Sequence, residues 1–147
     1  MKLVIQRVKK AKVIKKETKE IVGEIGAGLF VLLGIKKGDT EKNADQLVEK
    51  LLKIRLMSDK KDKMNLSVVD TKSEILVVSQ FTLYANTKDG NRPSFIEAED
   101  PENAKKLYLY FVEQLRNKNL KIETGSFGDY MEINCFLDGP LTIVVEK

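Results

Sequence analysis

Residues 2–15, KLVIQRVKKAKVIK, alternate with a period of two, which is the pattern of a strand with one buried face. A strand this long demands partners along its edges and a cover for its apolar side, so it commits the chain to a sheet-based fold. The alternation puts Leu3, Ile5 and Arg7 on one face and Val4, Gln6 and Val8 on the other. Arg7 extends an apolar row. A guanidinium keeps its proton, so it needs an acceptor there. Partner strands are expected at Ile21–Ile25, Leu29–Ile35, Glu74–Phe81, Leu120–Glu123, Tyr130–Phe136 and Leu141–Val145, the last two separated by a turn, Leu137–Pro140. Residues 15–19 read as a turn, 59–63 as a charged turn, and Asn86–Phe95 as a polar loop. One helix follows a cap at Asp39 or Thr40, with Ala44, Leu47, Val48, Leu51 and Ile54 on its apolar face. A second is capped by Asp100 with Pro101 in its first turn. It carries Ala104, Leu107, Tyr108, Phe111 and Leu115 and stops near Asn119. No linker or repeat divides the 147 residues, so the expectation is one α/β domain spanning 1–147, strand-rich, with two covering helices.

Composition then removes whole classes of chemistry. Apolar residues make up 42% and charged residues 33%, the balance of a soluble globular protein. No apolar run approaches the roughly 20 residues of a membrane span, and the N-terminal stretch alternates rather than forming a signal core, so a cytoplasmic protein with no membrane partner is expected. There is no histidine, which excludes a Ser-His-Asp or Cys-His pair, a His-ligated zinc and an imidazole base. The single cysteine, Cys135, excludes an internal disulfide and every Cys-pair metal motif, and it sits in a strand-like alternation as a small buried thiol. No metal or cofactor is expected. The net charge of +4 is compatible with an RNA partner. Only four of the 26 basic residues are Arg, however, and the Lys pairs are scattered as on a solvated surface.

Two segments stand out against that background. Ser79, Gln80, Phe81 and Thr82, in SQFTLYA, put two hydroxyls and an amide at the end of an apolar strand. A buried polar group without a partner costs about 1–3 kcal/mol, so these groups either bond to neighbouring backbone or serve a site. Gly139-Pro140 precedes the last strand and reads, by itself, as an ordinary tight turn.

Taken with their surroundings these segments form a series. QRVKKAKV (6–13), GEIGAGLFVLLGI (23–35), KMNLS (63–67), SQFTLYA (79–85), RPSF (92–95), ETGSFGDYM (123–131) and DGPLT (138–142) occur in order over nearly the whole chain. In this the sequence resembles the D-aminoacyl-tRNA deacylases. The resemblance implies a three-layer α/β/β arrangement of mixed sheets. It also implies a metal-free hydrolase, homodimeric, that cleaves the ester joining a D-amino acid or glycine to the aminoacylated 3′ end of tRNA, a proofreading step of translation. Carried over by position, Ser79, Gln80, Phe81 and Thr82 form the pocket floor. Gly139 and Pro140, held as a cis peptide, reach in from the partner subunit, with Arg7 and Met131 packed around that loop. The resemblance thereby offers Arg7 an acceptor, the loop carbonyls. Leu137 stands where the family usually has Asn, Leu141 where it has Val, and the first hairpin, KKETKE (15–20), lacks the usual Gly.

The chemistry of such a site can be argued from first principles. If loop carbonyls pin the substrate ammonium and the ester carbonyl is pinned as well, chirality decides which Cα substituent meets the Pro140 wall. A clash worth about 4 kcal/mol rejects an L side chain roughly a thousandfold, and glycine has nothing to clash. Backbone N–H groups near Phe81 and Thr82 would hold the oxyanion. Thr82 has no neighbouring base to make it a nucleophile, so the 2′-hydroxyl of the terminal ribose is expected to assist the attacking water while Thr82 positions. Arg92 is a candidate RNA contact. An editing deacylase for L esters, a non-hydrolytic RNA-binding module and a metal-dependent hydrolase are the competing readings.

Overall fold

The computed structural model describes residues 1–88 and 90–147; Asp89, within the expected Asn86–Phe95 loop, lies outside the described residues. The described residues form eight strands: β1 (Lys2–Lys15), β2 (Ile21–Ile25), β3 (Gly28–Gly34), β4 (Met57–Ser58), β5 (Met64–Leu66), β6 (Glu74–Ser79), β7 (Ile122–Thr124) and β8 (Met131–Glu146). The main sheet is mixed and runs β2-β1-β3-β6-β7, with β8 also paired to β1, while β4 and β5 form a separate small ribbon. β1 is antiparallel to β2, β3 and β8, whereas β3, β6 and β7 are parallel.

The long helices form where the sequence signals them. α1 (Glu41–Lys53) starts after Thr40, whose N–H donates to Asn43 Oδ1 at 3.0 Å. α3 (Pro101–Arg116) is capped by Asp100, which accepts from the N–H groups of Glu102 and Asn103, both at 3.1 Å. Both helices lay their apolar stripes on one face of the sheet, against Leu3, Ile5, Leu29, Val31, Leu33, Ile75 and Val77. Met1 is buried in the same core, its ammonium 2.7 Å from Asp39 Oδ1.

The opposite face carries a second apolar cluster of Val8, Ala11, Val13, Ile25, Phe30, Leu76 and Val78. Helices, central sheet and the folded-over ends of β1, β2 and β8 thus make three layers, α/β/β. β1 serves two of them because its register against β8 shifts at Gln6/Val8 and again at Val8/Lys10. The uninterrupted alternation expected over 2–15 is therefore broken: such bulges re-aim every following side chain. The exposed pair Lys9-Lys10 marks the place.

Other expectations need correction. β6 ends at Ser79, and residues Phe81–Tyr84 form a 3-10 helix rather than the end of a strand. The two strands expected around Leu137–Pro140 are one strand, β8, with the Gly-Pro as an irregularity inside it, because β1 supplies hydrogen-bonding partners on both sides. A four-residue helix, α2 (Val68–Thr71), capped by Ser67, was not expected; so short a turn has no amphipathic period to read.

Candidate active site

β6 carries the chain out of the core and stops at Ser79. The N–H of Gln80 still reaches Leu33 O at 2.8 Å, then the backbone turns into the 3-10 helix. Gly34 on β3 makes room for that helix: a Cβ there would lie 2.9 Å from Leu83 Cβ and 3.3 Å from Gln80 O. The N–H groups of Phe81 and Thr82, first in the helix, have no acceptor among the described residues. The Gln80 side-chain amide donates to Thr82 Oγ1. Thr82 therefore has a hydrogen-bond donor beside it and no base, an arrangement that orients its hydroxyl without activating it.

Ser79, Gln80 and Phe81 line a cavity of about 730 Å³ whose apolar wall includes Leu33, Ile35, Ala98, Ala104 and Phe127. That volume is in the range of small-molecule sites, roughly 300–1,000 Å³. Phe95 closes one side, its ring edge-on to Phe81 with centroids 5.0 Å apart. It is delivered there by a loop pinned at its base, where Asn86 and Ser94 exchange backbone hydrogen bonds of 2.7 and 2.8 Å.

The other side of the cavity is the segment 127–131, which includes Met131. The end of β1 fastens it. Lys15 Nζ lies 2.8 Å from Asp129 Oδ2, and Lys16 N–H donates to Tyr130 O at 2.9 Å. Ser126 adds two contacts, its hydroxyl to Asp129 and its N–H to Met131 Sδ at 3.2 Å. The Lys15 hydrogen bond, with Ser126 behind it, holds the Asp129 carboxyl below its usual range, and the same contact raises Lys15.

Arg7, Gly139 and Pro140 are elsewhere; none lines the cavity of its own chain. Arg7 Nη1 donates to Leu56 O at 2.9 Å and to Ser58 Oγ at 3.3 Å. Its Nε lies 2.9 Å from Asp138 Oδ2, close enough for an ion pair, yet the N–H is not aligned on the oxygen and that buried donor has no hydrogen bond. Within one chain Arg7 is thus held by Leu56, Ser58 and Asp138. Next to Asp138, Gly139 has φ 138°, a region that disfavours a side chain, and Gly139-Pro140 is a cis peptide. Leu137 and Pro140 are exposed on a strand that, among the described residues, pairs in the sheet with β1 alone.

Within one chain the structure brings Ser79, Gln80, Phe81 and Met131 together around the cavity, with Thr82 exposed beside it. Arg7, Gly139 and Pro140 make a second group. Sequence reasoning passed over Phe95, Asp129 and Tyr130 as cavity-lining residues and Asp138 as the partner of Arg7, although RPSF, GDYM and DGP hold all four. Their signal was motif membership; their roles depend on which loops meet. Among the described residues, no three His, Cys, Asp or Glu side chains gather as a metal site, and no helix is long and apolar enough to cross a membrane.

Comparison with known proteins is consistent along the whole chain. A family model described as D-Tyr-tRNA(Tyr) deacylase matches residues 4–146. The D-aminoacyl-tRNA deacylase of Thermosipho melanesiensis is 50% identical over 148 residues, covering 100% of this chain and 97% of that protein. Its counterpart in Aquifex aeolicus is 51% identical over 147 residues, with 100% and 98% covered. In three dimensions the chain matches the c-Myc DNA Unwinding Element Binding Protein with a TM-score of 0.93 at 42% identity, covering 100% of this chain and 99% of that one. A probable eukaryotic D-amino acid tRNA deacylase shares the fold, with a TM-score of 0.87 at 15% identity over 99% and 98% of the two chains. The chain belongs to the D-Tyr-tRNA(Tyr) deacylase family, and with it to the hydrolases that act on aminoacyl-tRNA.

Proposed function

We propose that this protein hydrolyses the ester between a D-amino acid, or glycine, and the 3′ end of tRNA, as a cytoplasmic homodimer without a metal, and rejects L-amino acids with a Gly139-Pro140 loop lent by the partner. The observation that carries this reading is the division of the site: Ser79, Gln80 and Phe81 line a cavity with Thr82 exposed beside it, while Gly139-Pro140 lies outside that cavity on an exposed strand. A pocket missing one wall and a loop missing a pocket are completed together by a two-fold axis. β8 favours such a pairing. Its outer edge has no strand partner among the described residues, and Phe136, Leu137 and Val144 are exposed along it.

In this site the ester carbonyl points at the free N–H groups of Phe81 and Thr82. They stabilise the oxyanion as water adds to the carbonyl carbon, each such donor contributing about 2.7–4 kcal/mol in comparable sites. The C–O3′ bond then breaks, the 3′ oxygen takes the proton, and the free amino acid and tRNA leave. The 2′-hydroxyl of the terminal ribose assists the water, Thr82 orients, and Ser79 and Gln80 hold the floor. Met131 shapes the wall, and Arg7, steadied by Asp138, braces the Gly139-Pro140 loop against the partner's cavity.

The test is hydrolysis of D-Tyr-tRNA, L-Tyr-tRNA and Gly-tRNA by the purified protein, with and without chelator. Turnover of the D and glycyl esters, with the L ester slower by roughly a thousandfold and no effect of chelation, is expected. Turnover of the L ester alone, or dependence on a metal, contradicts the reading.

A further inference from the structure

The hydrolysis described above leaves one pair at the cavity rim unused. Tyr130 belongs to the wall segment yet is 75% exposed, and the Lys16 ammonium sits over its ring, 4.5 Å from the centroid. The backbone there is fixed by the Lys16 N–H to Tyr130 O bond and by the Lys15–Asp129 ion pair. Asp129 pairs with Lys15 and Glu132 with Lys19 at 2.9 Å, while Glu17 and Glu20 of the hairpin form no ion pair with Lys16, so among the described residues Lys16 has no salt bridge and rests on the ring. A rigid aromatic face beside an ammonium without a counter-ion suits a single-stranded nucleic acid, where a base stacks on the ring and the adjoining phosphate meets the cation.

Resting on the aminoacyl-tRNA reading, we propose that Tyr130 and Lys16 bind the nucleotide preceding the esterified one: Tyr130 stacks on its base, and Lys16 contacts the phosphate that joins it to the terminal nucleoside. Position decides which nucleotide. The aminoacyl group and terminal ribose occupy the cavity between Ser79–Phe81 and Met131, where the lining offers hydroxyl, amide and apolar groups, the carboxylates of Glu99 and Asp129, and no cation among the described residues. Tyr130, 75% exposed, forms the rim of that lining and Lys16 lies beyond it, one step back along the strand that must enter.

Comparing a full D-aminoacyl-tRNA with 3′-O-(D-aminoacyl)adenosine, which lacks both the phosphate and the preceding base, tests this. On tRNA, Lys16→Ala and Tyr130→Leu are each expected to raise KM about tenfold with kcat held, and Tyr130→Phe to restore it. Lys16→Ala should also flatten the log–log salt dependence of kcat/KM by about 0.7. On the short ester Lys16→Ala should match the wild type, and the ratio of kcat/KM on tRNA to that on the short ester should fall about tenfold for both variants. Equal losses on both substrates would assign the pair to the pocket or to folding, and no loss on either would remove it from the RNA path; both results overturn the proposal. If the wild type cleaves neither ester, the activity reading fails instead. The contact is then decided by fluorescence anisotropy with uncharged tRNA: binding weakened about tenfold in both variants supports it, and unchanged binding overturns it.

Discussion

Thr82 is the side chain on which the chemistry divides. It accepts from Gln80, the chain has no histidine, and the carboxylates lining the cavity are engaged elsewhere, Asp129 by Lys15 and Glu99 by the Asp100 N–H. Thr82→Val is therefore expected to lower kcat on a D-aminoacyl-tRNA by no more than about 10²-fold, with KM little changed, in single-turnover assays. Complete loss of turnover with intact binding would make Thr82 the nucleophile. Asp129 supplies a second residue-level prediction. Its folded pKa is depressed by Lys15 and Ser126, so the stability it contributes is present above the ordinary aspartate pKa of about 3.9 and is lost as pH falls through the lower folded value. Wild type should be more stable than Asp129→Asn near neutrality in chemical denaturation, and the difference should vanish in strong acid. A difference that persists there would mean the contact is not ionic. At this scale the sequence spoke for Ser79, Gln80, Phe81 and Thr82 because polar groups closing an apolar strand need a reason. It was silent on Asp138 as the partner of Arg7, because that pairing depends on a bulge in β1.

The 3-10 helix is the element that turns a strand end into a site. Its seat on β3 depends on Gly34, so Gly34→Ala must push Leu83 or the Gln80 carbonyl aside. The expected cost is about 1–3 kcal/mol in Tm-derived stability, with a fall in kcat because the Phe81 and Thr82 N–H groups move with the turn. Loss of stability with unchanged kcat would show that these N–H groups do not touch the reacting carbonyl. The two long helices were legible from apolar periodicity and caps, since Thr40, Asp100 and Pro101 are strong punctuation. β8 was read as two strands because Gly139-Pro140 looks like a turn locally. Only the facing length of β1 reveals one strand with an irregularity, and that is information held in the partner, not in the segment. The same irregularity carries Asp138 to Arg7, which braces a loop where Leu137 offers no side-chain amide.

At the scale of the whole molecule, the proposed dimer would bring a chiral wall to the cavity, and β8 has an outer edge with no strand neighbour among the described residues. Val144→Glu, placing charge on that exposed edge, is expected to yield monomers by analytical ultracentrifugation and to reduce D-ester turnover at least tenfold, since a desolvated charge opposes the pairing. Monomers with full activity would sever the site from the dimer. A strand-rich α/β domain with two covering helices followed from the periodicities, but the three layers and the proposed assembly were implied by family resemblance, because exposed apolar side chains do not say what covers them. The most direct measurement is a crystal structure of the protein with a non-hydrolysable D-aminoacyl-adenosine analogue. The account predicts Pro140 of one protomer against the Cα of the analogue held beside Thr82 of its partner, with the ester carbonyl oxygen facing the Phe81 and Thr82 N–H groups. An analogue enclosed by a single chain, with Pro140 of the other protomer far from it, would contradict the account.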